Sequence, residues 1–366
     1  MTLRLFTLIT TLLLSACAYK SSTNHKVYIN PDIQQSIKAQ GELKQRIILL
    51  GDAGLSSIKP LQASLQKAVE HAEKSPEKTA VIMLGDNIYP SGFPNKLPEQ
   101  QVFTSKQLKH ISFLEAQLQI AKQSGAEMFI VPGNHDWYAT QVDTQAEYIE
   151  NYASTNKLSA MFVPYQEASS PLPQMILRDG VSLVFLDTMW LIKASQNDFN
   201  KALEHLSSLL TKSYQAFPDN IIVLNGHHPI ETMGPHGGYY SSLGYQLYVS
   251  IVTFFNNNQQ DVDSLKYQRL INGMNSQLIP YPKTIFAAGH DHSLQVFEQK
   301  DENKTHYNLV SGAANSAKLS GVSYNEQTQF ATSQEGFIEI DVLEQGVLLK
   351  VFTINQASPI YQQWLW

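Results

Sequence analysis

The chain is poor in thiols, since Cys17 is the only cysteine among its 366 residues. A single thiol excludes an intrachain disulfide, and it also excludes a structural zinc site built from several cysteines. A protein without further thiols suits an oxidising compartment, because it has no cysteines that could mispair. Any metal site in this protein must therefore be built from oxygen and nitrogen ligands.

The sequence also lacks clusters of positive side chains. It has 26 Lys and Arg against 32 Asp and Glu, which gives a net charge of -6 and a pI near 6.0. Contacts with nucleic-acid phosphates need grouped lysines and arginines, so we expect no nucleic-acid-binding surface. A phosphate-bearing substrate would need bound metal to attract it to such an acidic protein.

The apolar run at the N-terminus is too short to span a bilayer. Arg4 precedes apolar residues from Leu5 to Leu14, and small residues follow before Cys17. The residues LSAC resemble the lipobox of bacterial lipoprotein signal peptides, in which cleavage before the cysteine leaves it as the lipid-bearing residue. We therefore expect residues 1–16 to be a signal peptide and lipidated Cys17 to anchor the protein to a membrane of the bacterial cell envelope.

The residues around this anchor refine its interpretation. Ala18 favours the outer membrane if the source is Gram-negative. Residues 17–43 are polar and without periodicity, which indicates a tether, and residues 44–366 are expected to form the folded domain. A frayed hydrophobic N-terminus and an uncleaved anchor are the alternatives to lipidation.

The rest of the chain repeats a pattern of apolar strand, polar loop and amphipathic helix. The polar loops that follow the strands read GDAG (51–54), GDNIY (85–89), GNHD (133–136), NGHHP (225–229) and GHDH (289–292). Helical stretches are predicted at 60–74, 105–124 and 197–213. Alternating strands and helices indicate a largely parallel arrangement, with ligands bound at the carboxyl ends of the strands.

Two further segments, 175–188 and 337–353, have the pattern of antiparallel strand pairs. We therefore predict an α/β fold, a four-layer sandwich of two mixed β-sheets flanked by helices, with the five loops at one edge. The segment at 237–258 is rich in Tyr and Phe; a buried helix or strand is favoured there over a lid or a membrane-facing surface.

Two aspartates (Asp52 and Asp86), one asparagine (Asn134) and several histidines stand in these loops shortly after an apolar strand. Each loop alone has an ordinary explanation, because Gly-Asp often forms a turn and single histidines are usually structural. Taken together they supply the oxygen and nitrogen ligands that iron, manganese and zinc favour. The glycines suit such a site, since loops that wrap a metal need conformations that glycine adopts at little cost.

The order of these loops resembles the calcineurin-like metallophosphoesterases, and within them the purple acid phosphatases of the compact, tartrate-resistant type. The resemblance runs from about residue 46 to about residue 354. It also includes three segments outside the loops, namely VFLDT (184–188), MGPHG (233–237) and LVSGAANS (309–316). Two features depart from that family: Ala53 replaces a frequent aromatic residue, and the stretch between His236 and His290 is longer.

The resemblance implies a site for two metal ions, Fe³⁺ and a divalent ion (Fe, Zn or Mn). The first ion would be held by Asp52, Asp86, Tyr89 and His292. The second would share Asp86 as a bridge and be held by Asn134, His227 and His290. Such a pair can bind the phosphoryl group of a phosphate-ester substrate and provide hydroxide for in-line hydrolysis of a phosphomonoester.

The resemblance also implies roles for two histidines outside the ligand set. His135 and His236 would face the phosphoryl group and the leaving oxygen, where a protonated imidazole can neutralise charge and donate a proton. Asp136 could hold the His135 ring in one orientation. By contrast, His228 is expected to pack or to border the substrate rather than bind metal, and Asp291 to accept from loop amides.

Alternatives remain for the metals and for the reaction. Tyr89 could merely pack against its loop, with two Mn²⁺ or Zn²⁺ ions in the site. The same site could serve a phosphodiesterase or a nucleotide pyrophosphatase, because specificity lies in the loops. A metal-binding surface protein without catalysis is the remote alternative, and it predicts a missing ligand, which the sequence does not show.

Overall fold

The computed structural model describes most of the chain from residue 20 onward. The described residues are 20–21, 27–33, 37, 41–95, 102–138, 142–164, 171–240, 261–262, 264–301 and 304–366. The expected signal peptide, Cys17 and most of the aromatic-rich segment at 237–258 lie outside them, so the expectations for these parts stay predictions. Within the described ranges, no helix combines the length and the apolar character needed to cross a membrane.

Strands and helices alternate along most of the described chain. In chain order the strands are β1 (Lys20–Ser21), β2 (Val27–Ile29), β3 (Leu43–Leu50), β4 (Thr79–Leu84), β5 (Glu127–Val131), β6 (Ala160–Phe162), β7 (Gln174–Arg178), β8 (Val181–Phe185), β9 (Ile221–Asn225), β10 (Tyr239–Tyr240), β11 (Lys283–Ala288), β12 (Leu294–Asp301), β13 (Lys304–Ser311), β14 (Thr328–Thr332), β15 (Gly336–Leu343), β16 (Gly346–Thr353) and β17 (Tyr361–Trp364). The helices are α1 (Ala63–Ala72), α2 (Ser105–Ser124), α3 (Val142–Asn156), α4 (Thr188–Lys193), α5 (Gln196–Ala216) and α6 (Leu265–Leu278).

The strands form two mixed sheets and one short pair. The first sheet has the order β17-β16-β15-β3-β4-β5-β6, and its strands β3 to β6 are parallel. The second has the order β2-β14-β12-β13-β11-β9-β8-β7, and β8, β9, β11 and β13 are parallel. β1 pairs only with β10 in the described part of the chain. Both predicted antiparallel pairs, β7 with β8 and β15 with β16, are present.

The alternation of side chains along β3 explains why the sheets are covered on both faces. Ile47 and Leu49 join the apolar core between the two sheets, whereas Ile48 and Leu50 join a second core under α1 and α2. A third core lies between the other sheet and helices α5 and α6. Strands buried on both faces are continuous apolar runs, as the sequence shows. The predicted four-layer sandwich is therefore confirmed.

Helix ends follow local capping signals. Thr104 and Gln107 form a capping box at the start of α2, and Gly125 ends that helix with a φ of 76°, so the predicted bounds 105–124 hold. The helix predicted at 60–74 is shorter in the structure, where α1 covers only Ala63–Ala72. Val27–Ile29, within the segment assigned to the tether, pairs with β14 and adds an edge strand to the second sheet.

Far from the loops, a buried ion cluster joins α1 to the first sheet. Glu339 on β15 lies 2.7 Å from His71 Nδ1 and 3.1 Å from Lys350 Nζ, and the Arg46 guanidinium lies 3.5 Å from it. Arg46 also forms a bidentate salt bridge with Asp341, in which Nε donates to Oδ1 at 2.8 Å and Nη2 donates to Oδ2 at 3.1 Å. Burial alone would raise the pKa of Glu339, but the His71 hydrogen bond and the charges of Arg46 and Lys350 lower it to about 2.

We expect Glu339→Gln to destabilise the protein strongly at neutral pH and much less in acid. A carboxylate whose folded-state pKa is lowered from 4.5 to about 2 stabilises the fold above pH 4.5, and this contribution is lost as the pH falls towards 2. The expected loss at pH 7 is on the order of 3 kcal/mol. Urea unfolding at pH 7 and pH 3 measures it, with the exposed Glu344→Gln on the same hairpin as control. If the free energy of unfolding of Glu339→Gln differed from that of the wild type by as much at pH 3 as at pH 7, the lowered pKa of Glu339 would not explain the loss.

Candidate metal centre

Five loops meet at the carboxyl ends of β3, β4, β5, β9 and β11. They bring together all of the residues predicted to bind metal, which are Asp52, Asp86, Tyr89, Asn134, His227, His290 and His292. The parallel strands explain this convergence, because residues that follow such strands emerge at one edge of a sheet. Here the edges of both sheets contribute, β3 to β5 from one and β9 and β11 from the other.

Three of these side chains form a first cluster. The Tyr89 hydroxyl lies 2.8 Å from Asp52 Oδ1 and 3.1 Å from His292 Nε2. His292 Nε2 also lies 3.3 Å from Asp52 Oδ1. These donor atoms are close enough to share one cation.

Three others form a second cluster a short distance away. His227 Nε2 lies 2.9 Å from Asn134 Oδ1 and 3.2 Å from His290 Nδ1. All three residues are buried. Two imidazole nitrogens and one amide oxygen form a neutral set that suits a divalent transition metal.

Asp86 lies between the two clusters. Its Oδ1 atom is 3.4 Å from His227 Nε2, and donor atoms of Asp52, Asp86 and His227 all lie within 4.8 Å of one another. The His135 amide donates to Asp86 Oδ1 at 2.9 Å, which fixes the carboxylate. A carboxylate in this position has one oxygen available for each of two cations.

Main-chain carbonyls determine which histidine nitrogens face the centre. Nδ1 of His227 lies 2.8 Å from the Leu84 carbonyl, and Nδ1 of His292 lies 2.6 Å from the Lys318 carbonyl. A carbonyl only accepts, so both Nδ1 atoms carry a proton, and in both rings Nε2 is the atom directed to the centre. Asn134 is oriented in a similar way, because its Nδ2 donates to the Tyr138 hydroxyl at 3.1 Å and its Oδ1 faces His227.

Three of the predicted ligands have a backbone conformation that is rare outside glycine. The φ angles of Asp52, Asp86 and His290 are 62°, 53° and 70°. Such conformations cost free energy and persist where the surrounding structure enforces them, often at functional sites. Gly85 leaves no room for a side chain, since a Cβ atom there would lie 2.6 Å from His227 Nδ1.

Electrostatics at the centre favour bound cations. Burial, followed by the charges of Asp52 and Asp86, raises the pKa of the Tyr89 hydroxyl well above its usual value. Burial would also raise the pKa of Asp86, but the charges of His227 and His135 and the His135 amide hold it below its usual value. Two buried carboxylates and a phenol therefore share one small volume, and cations bound there would compensate the negative charge. The donor set fits two metal ions.

The two predicted catalytic histidines flank these clusters. His135 Nδ1 lies 2.5 Å from the Pro90 carbonyl, so Nδ1 carries the proton and Nε2 points inward, 3.9 Å from Asp86 Oδ2. The His236 ring stacks on His290 with centroids 3.8 Å apart. Neither histidine belongs to the donor clusters, and His135 retains part of its side-chain surface.

His236 has acidic neighbours that affect its charge. Its Nδ1 atom lies 2.9 Å from Asp261 Oδ1, and its amide donates to Asp291 at 3.3 Å. Burial alone would lower the pKa of His236, but the Asp261 hydrogen bond and the charges of Asp291 and Asp261 raise it above its usual value. The imidazole can therefore hold a proton beside the centre.

The expectation that Asp136 orients the His135 ring is wrong. Asp136 accepts from the Gly133 amide at 2.8 Å and from the side chain of Asn87 at 2.9 Å, so its carboxylate fixes two loops instead. The Pro90 carbonyl orients His135 in its place. Sequence reasoning missed this because any residue offers a carbonyl, and only the path of the chain decides which histidine it meets.

His228 and Asp291, which are adjacent to predicted ligands, lie outside both donor clusters, as expected. His228 is buried with Nδ1 2.8 Å from Thr188 Oγ1, which places it in packing rather than in either cluster. Asp291 accepts from the His236 amide and from the Thr232 hydroxyl. Thr188, at the end of VFLDT, also accepts from the amides of His227 and His228 at 3.2 and 3.1 Å, so it supports the loop that carries them.

A cleft of about 360 Å³ opens beside the centre. His236, His290, His292, Lys318 and Ser320 are among the residues that line it. Lys318 and Tyr138 were not predicted to contribute to the site. Nothing in their local sequence distinguishes them, because their role follows from where their loops pack.

Comparison with known proteins agrees with this geometry. The family model described as calcineurin-like phosphoesterase matches residues 45–294. Tartrate-resistant acid phosphatase type 5 of Mus musculus is 22% identical over 290 residues, which cover 74% of this chain and 72% of that protein. The resemblance deduced from the five loops is thereby confirmed.

Two solved structures share the fold. GAP50, described as the anchor in the inner membrane complex of Plasmodium, superposes with a TM-score of 0.55 at 16% identity and covers 88% of this chain and 89% of its own. The structure of PhoD superposes with a TM-score of 0.51 at 11% identity and covers 91% of this chain and 73% of its own. At these identities the likeness concerns the fold alone.

Proposed function

Because the chain belongs to the calcineurin-like phosphoesterase family, and is thus a phosphoesterase hydrolase, we propose that it hydrolyses phosphomonoesters as an acid phosphatase with two metal ions. The observation that carries this proposal is the position of Asp86 between two complete donor clusters. Asp52, Tyr89 and His292 would hold Fe³⁺. Asn134, His227 and His290 would hold divalent Fe, Zn or Mn.

The bound ions would supply positive charge for the phosphoryl oxygens and lower the pKa of a water molecule. The chain's own residues do the rest. Asp86 keeps the two positions adjacent, and the Leu84 and Lys318 carbonyls bind Nδ1 of His227 and His292, so that Nε2 of each ring is directed to the centre. Tyr138 holds the Asn134 oxygen towards the second position.

His135 and His236 would act on the substrate rather than on the metals. The Pro90 carbonyl fixes the His135 ring with Nε2 directed inward, where a proton on it can neutralise charge on the phosphoryl oxygens. His236 rests against Asp261 at the cleft, where its imidazolium can protonate the leaving oxygen. A proton delivered there makes an alcohol, rather than an alkoxide, the leaving group.

We expect His135→Ala and His236→Ala each to lower turnover by about one to three orders of magnitude, as is common when an acid or an oxyanion partner is lost. Neither residue belongs to the donor clusters, so the metal content should stay unchanged. Steady-state kinetics together with metal analysis measures both effects. His306→Ala provides the control, since His306 contacts Thr284 on β11 at the opposite edge of the sheet. Full activity of either variant across the pH range would remove that residue from the mechanism.

A panel of substrates tests the proposed reaction directly. Metal-reconstituted protein lacking residues 1–17 is assayed with phosphomonoesters, phosphodiesters and nucleotide pyrophosphates. We expect monoesters to give the highest kcat/KM. Clear preference for a diester or a pyrophosphate would replace the proposed reaction by the alternative on the same centre.

A further inference from the structure

One wall of the cleft is tied to the metal centre through its main chain. It includes the short 3-10 turn Ser316–Lys318, which the side chain of Asn315 caps at 2.9 Å. The Lys318 carbonyl lies 2.6 Å from His292 Nδ1, and the Ser320 amide donates to the His292 carbonyl at 3.0 Å. Lys318 and Ser320 take part in these contacts through backbone atoms, so the Lys318 side chain is not needed for them.

The Lys318 side chain brings a positive charge to this wall. Its Nζ atom lies 4.4 Å from the ring centroid of Tyr89, whose hydroxyl contacts Asp52 and His292. The side chain is half-buried, and within the described part of the chain no carboxylate forms an ion pair with it. Among the described residues that line the cleft, Lys318 is the only lysine or arginine.

We propose that Lys318 is a substrate-binding residue that selects dianionic phosphomonoesters over monoanionic phosphodiesters, an inference that rests on the proposed function. An ammonium without an ion-pair partner, half-shielded from water, interacts more strongly with a phosphate than a fully solvated one does. The attraction is roughly proportional to the charge of the ligand, so a dianion gains about twice as much as a monoanion. The side chain thus favours one substrate class over the other.

A purely structural role for Lys318 makes a different prediction. An ammonium over the face of a tyrosine ring can stabilise the folded protein by itself. In that case its removal would lower the melting temperature and leave phosphate binding unchanged. Inhibition by inorganic phosphate therefore separates the two roles, whichever ester the enzyme prefers.

The experiment compares Lys318→Met and Lys318→Arg with the wild type, all loaded with metal. Methionine keeps an unbranched stem that can pack against Tyr89 but removes the charge, whereas arginine keeps the charge. We expect Lys318→Met to raise the inhibition constant of inorganic phosphate by about 10- to 100-fold, as for a lost charge-assisted hydrogen bond. Lys318→Arg should recover most of that loss. The effect on monoester hydrolysis should appear mainly in KM.

Lys122→Met is the matched control. Lys122 also lies over a tyrosine ring, 5.9 Å from the Tyr152 centroid, but at the end of α2 opposite to the cleft. The Lys122→Met substitution should leave the phosphate inhibition constant unchanged.

For Lys318→Met, kcat/KM should fall more for a monoester than for a diester. An unchanged inhibition constant, or equal losses for both esters, would overturn the role of Lys318. A wild type that prefers diesters would instead refute the proposed function.

Discussion

Replacing Asp86 by asparagine is expected to abolish the activity almost completely, with turnover lower by more than about 10³-fold. Asparagine has nearly the same shape, and its Oδ1 can still accept from the His135 amide, which now lies 2.9 Å from the carboxylate. The substitution removes a negative charge from a buried position between two clusters that are proposed to hold cations. Two cations that share this ligand would then repel each other with less compensation. We expect the bound metal to fall from two ions per chain to one or fewer.

Metal analysis and kinetics on the same preparation measure this effect. Asp341→Asn is the matched control, because Asp341 is also a buried aspartate but pairs with Arg46 in the ion cluster far from the loops. It should lower the stability while the folded protein keeps its metals and its activity. Asp86→Asn protein that retains two metal ions and its turnover would exclude Asp86 as the bridging ligand.

The positions of the predicted ligands could be deduced from the sequence because simple rules apply to them. Asp52, Asp86 and Asn134 each stand two or three residues beyond a strand that is buried on both faces, and parallel strands deliver such residues to one edge. Tyr89, three residues beyond Asp86, reaches the same cluster because its loop turns back on Asp52. Periodicity and loop composition were sufficient to predict that these loops meet at one edge, whereas the assignment of individual residues as ligands came from the resemblance to the metallophosphoesterases.

The contacts that orient the ligands could not be predicted in the same way. The Pro90 and Lys318 carbonyls, which fix His135 and His292, are backbone atoms that every residue type offers. Asp261, which contacts His236, is separated from it by the aromatic-rich segment, so spacing gave no indication of the pair. Such contacts depend on how the loops pack on one another, which local sequence patterns do not encode.

The sequence also predicted the extent of the helices unevenly. In the structure, Thr104, Gln107 and Gly125 provide local signals at both ends of α2, and its bounds agree with the predicted 105–124. The helix predicted at 60–74 starts too early, since it includes Pro60, which is not part of α1. The observed start has no local signal, because the side chain of Gln62 makes no capping hydrogen bond. A capping residue alone is not sufficient, because the helices capped by Asp187 and Ser264 were not predicted. Without a local signal, tertiary packing decides the boundary.

Replacing Tyr89 by phenylalanine is expected to abolish the visible absorption of the iron-loaded, oxidised protein. The first motif reads Asp52-Ala53-Gly54, so it lacks the histidine that many phosphoesterases with two metals have two residues after this aspartate. The Tyr89 hydroxyl occupies the cluster with Asp52 and His292 instead. Burial and two carboxylates oppose its ionisation, so a strongly charged cation is required to make it a phenolate. A phenolate bound to Fe³⁺ would give a broad tyrosinate-to-iron band.

Tyr267→Phe is the matched control for this spectrum. Tyr267 is as deeply buried as Tyr89 and loses a comparable hydrogen bond, since its hydroxyl donates to the Pro229 carbonyl at 2.7 Å. The band should survive this substitution and disappear only in Tyr89→Phe. If it survives in both variants, another group gives rise to the colour. Full activity with two Mn²⁺ or Zn²⁺ ions and no band would show that Tyr89 serves packing, and the protein would then be a phosphoesterase that does not use the tyrosinate-iron chemistry of the purple acid phosphatases.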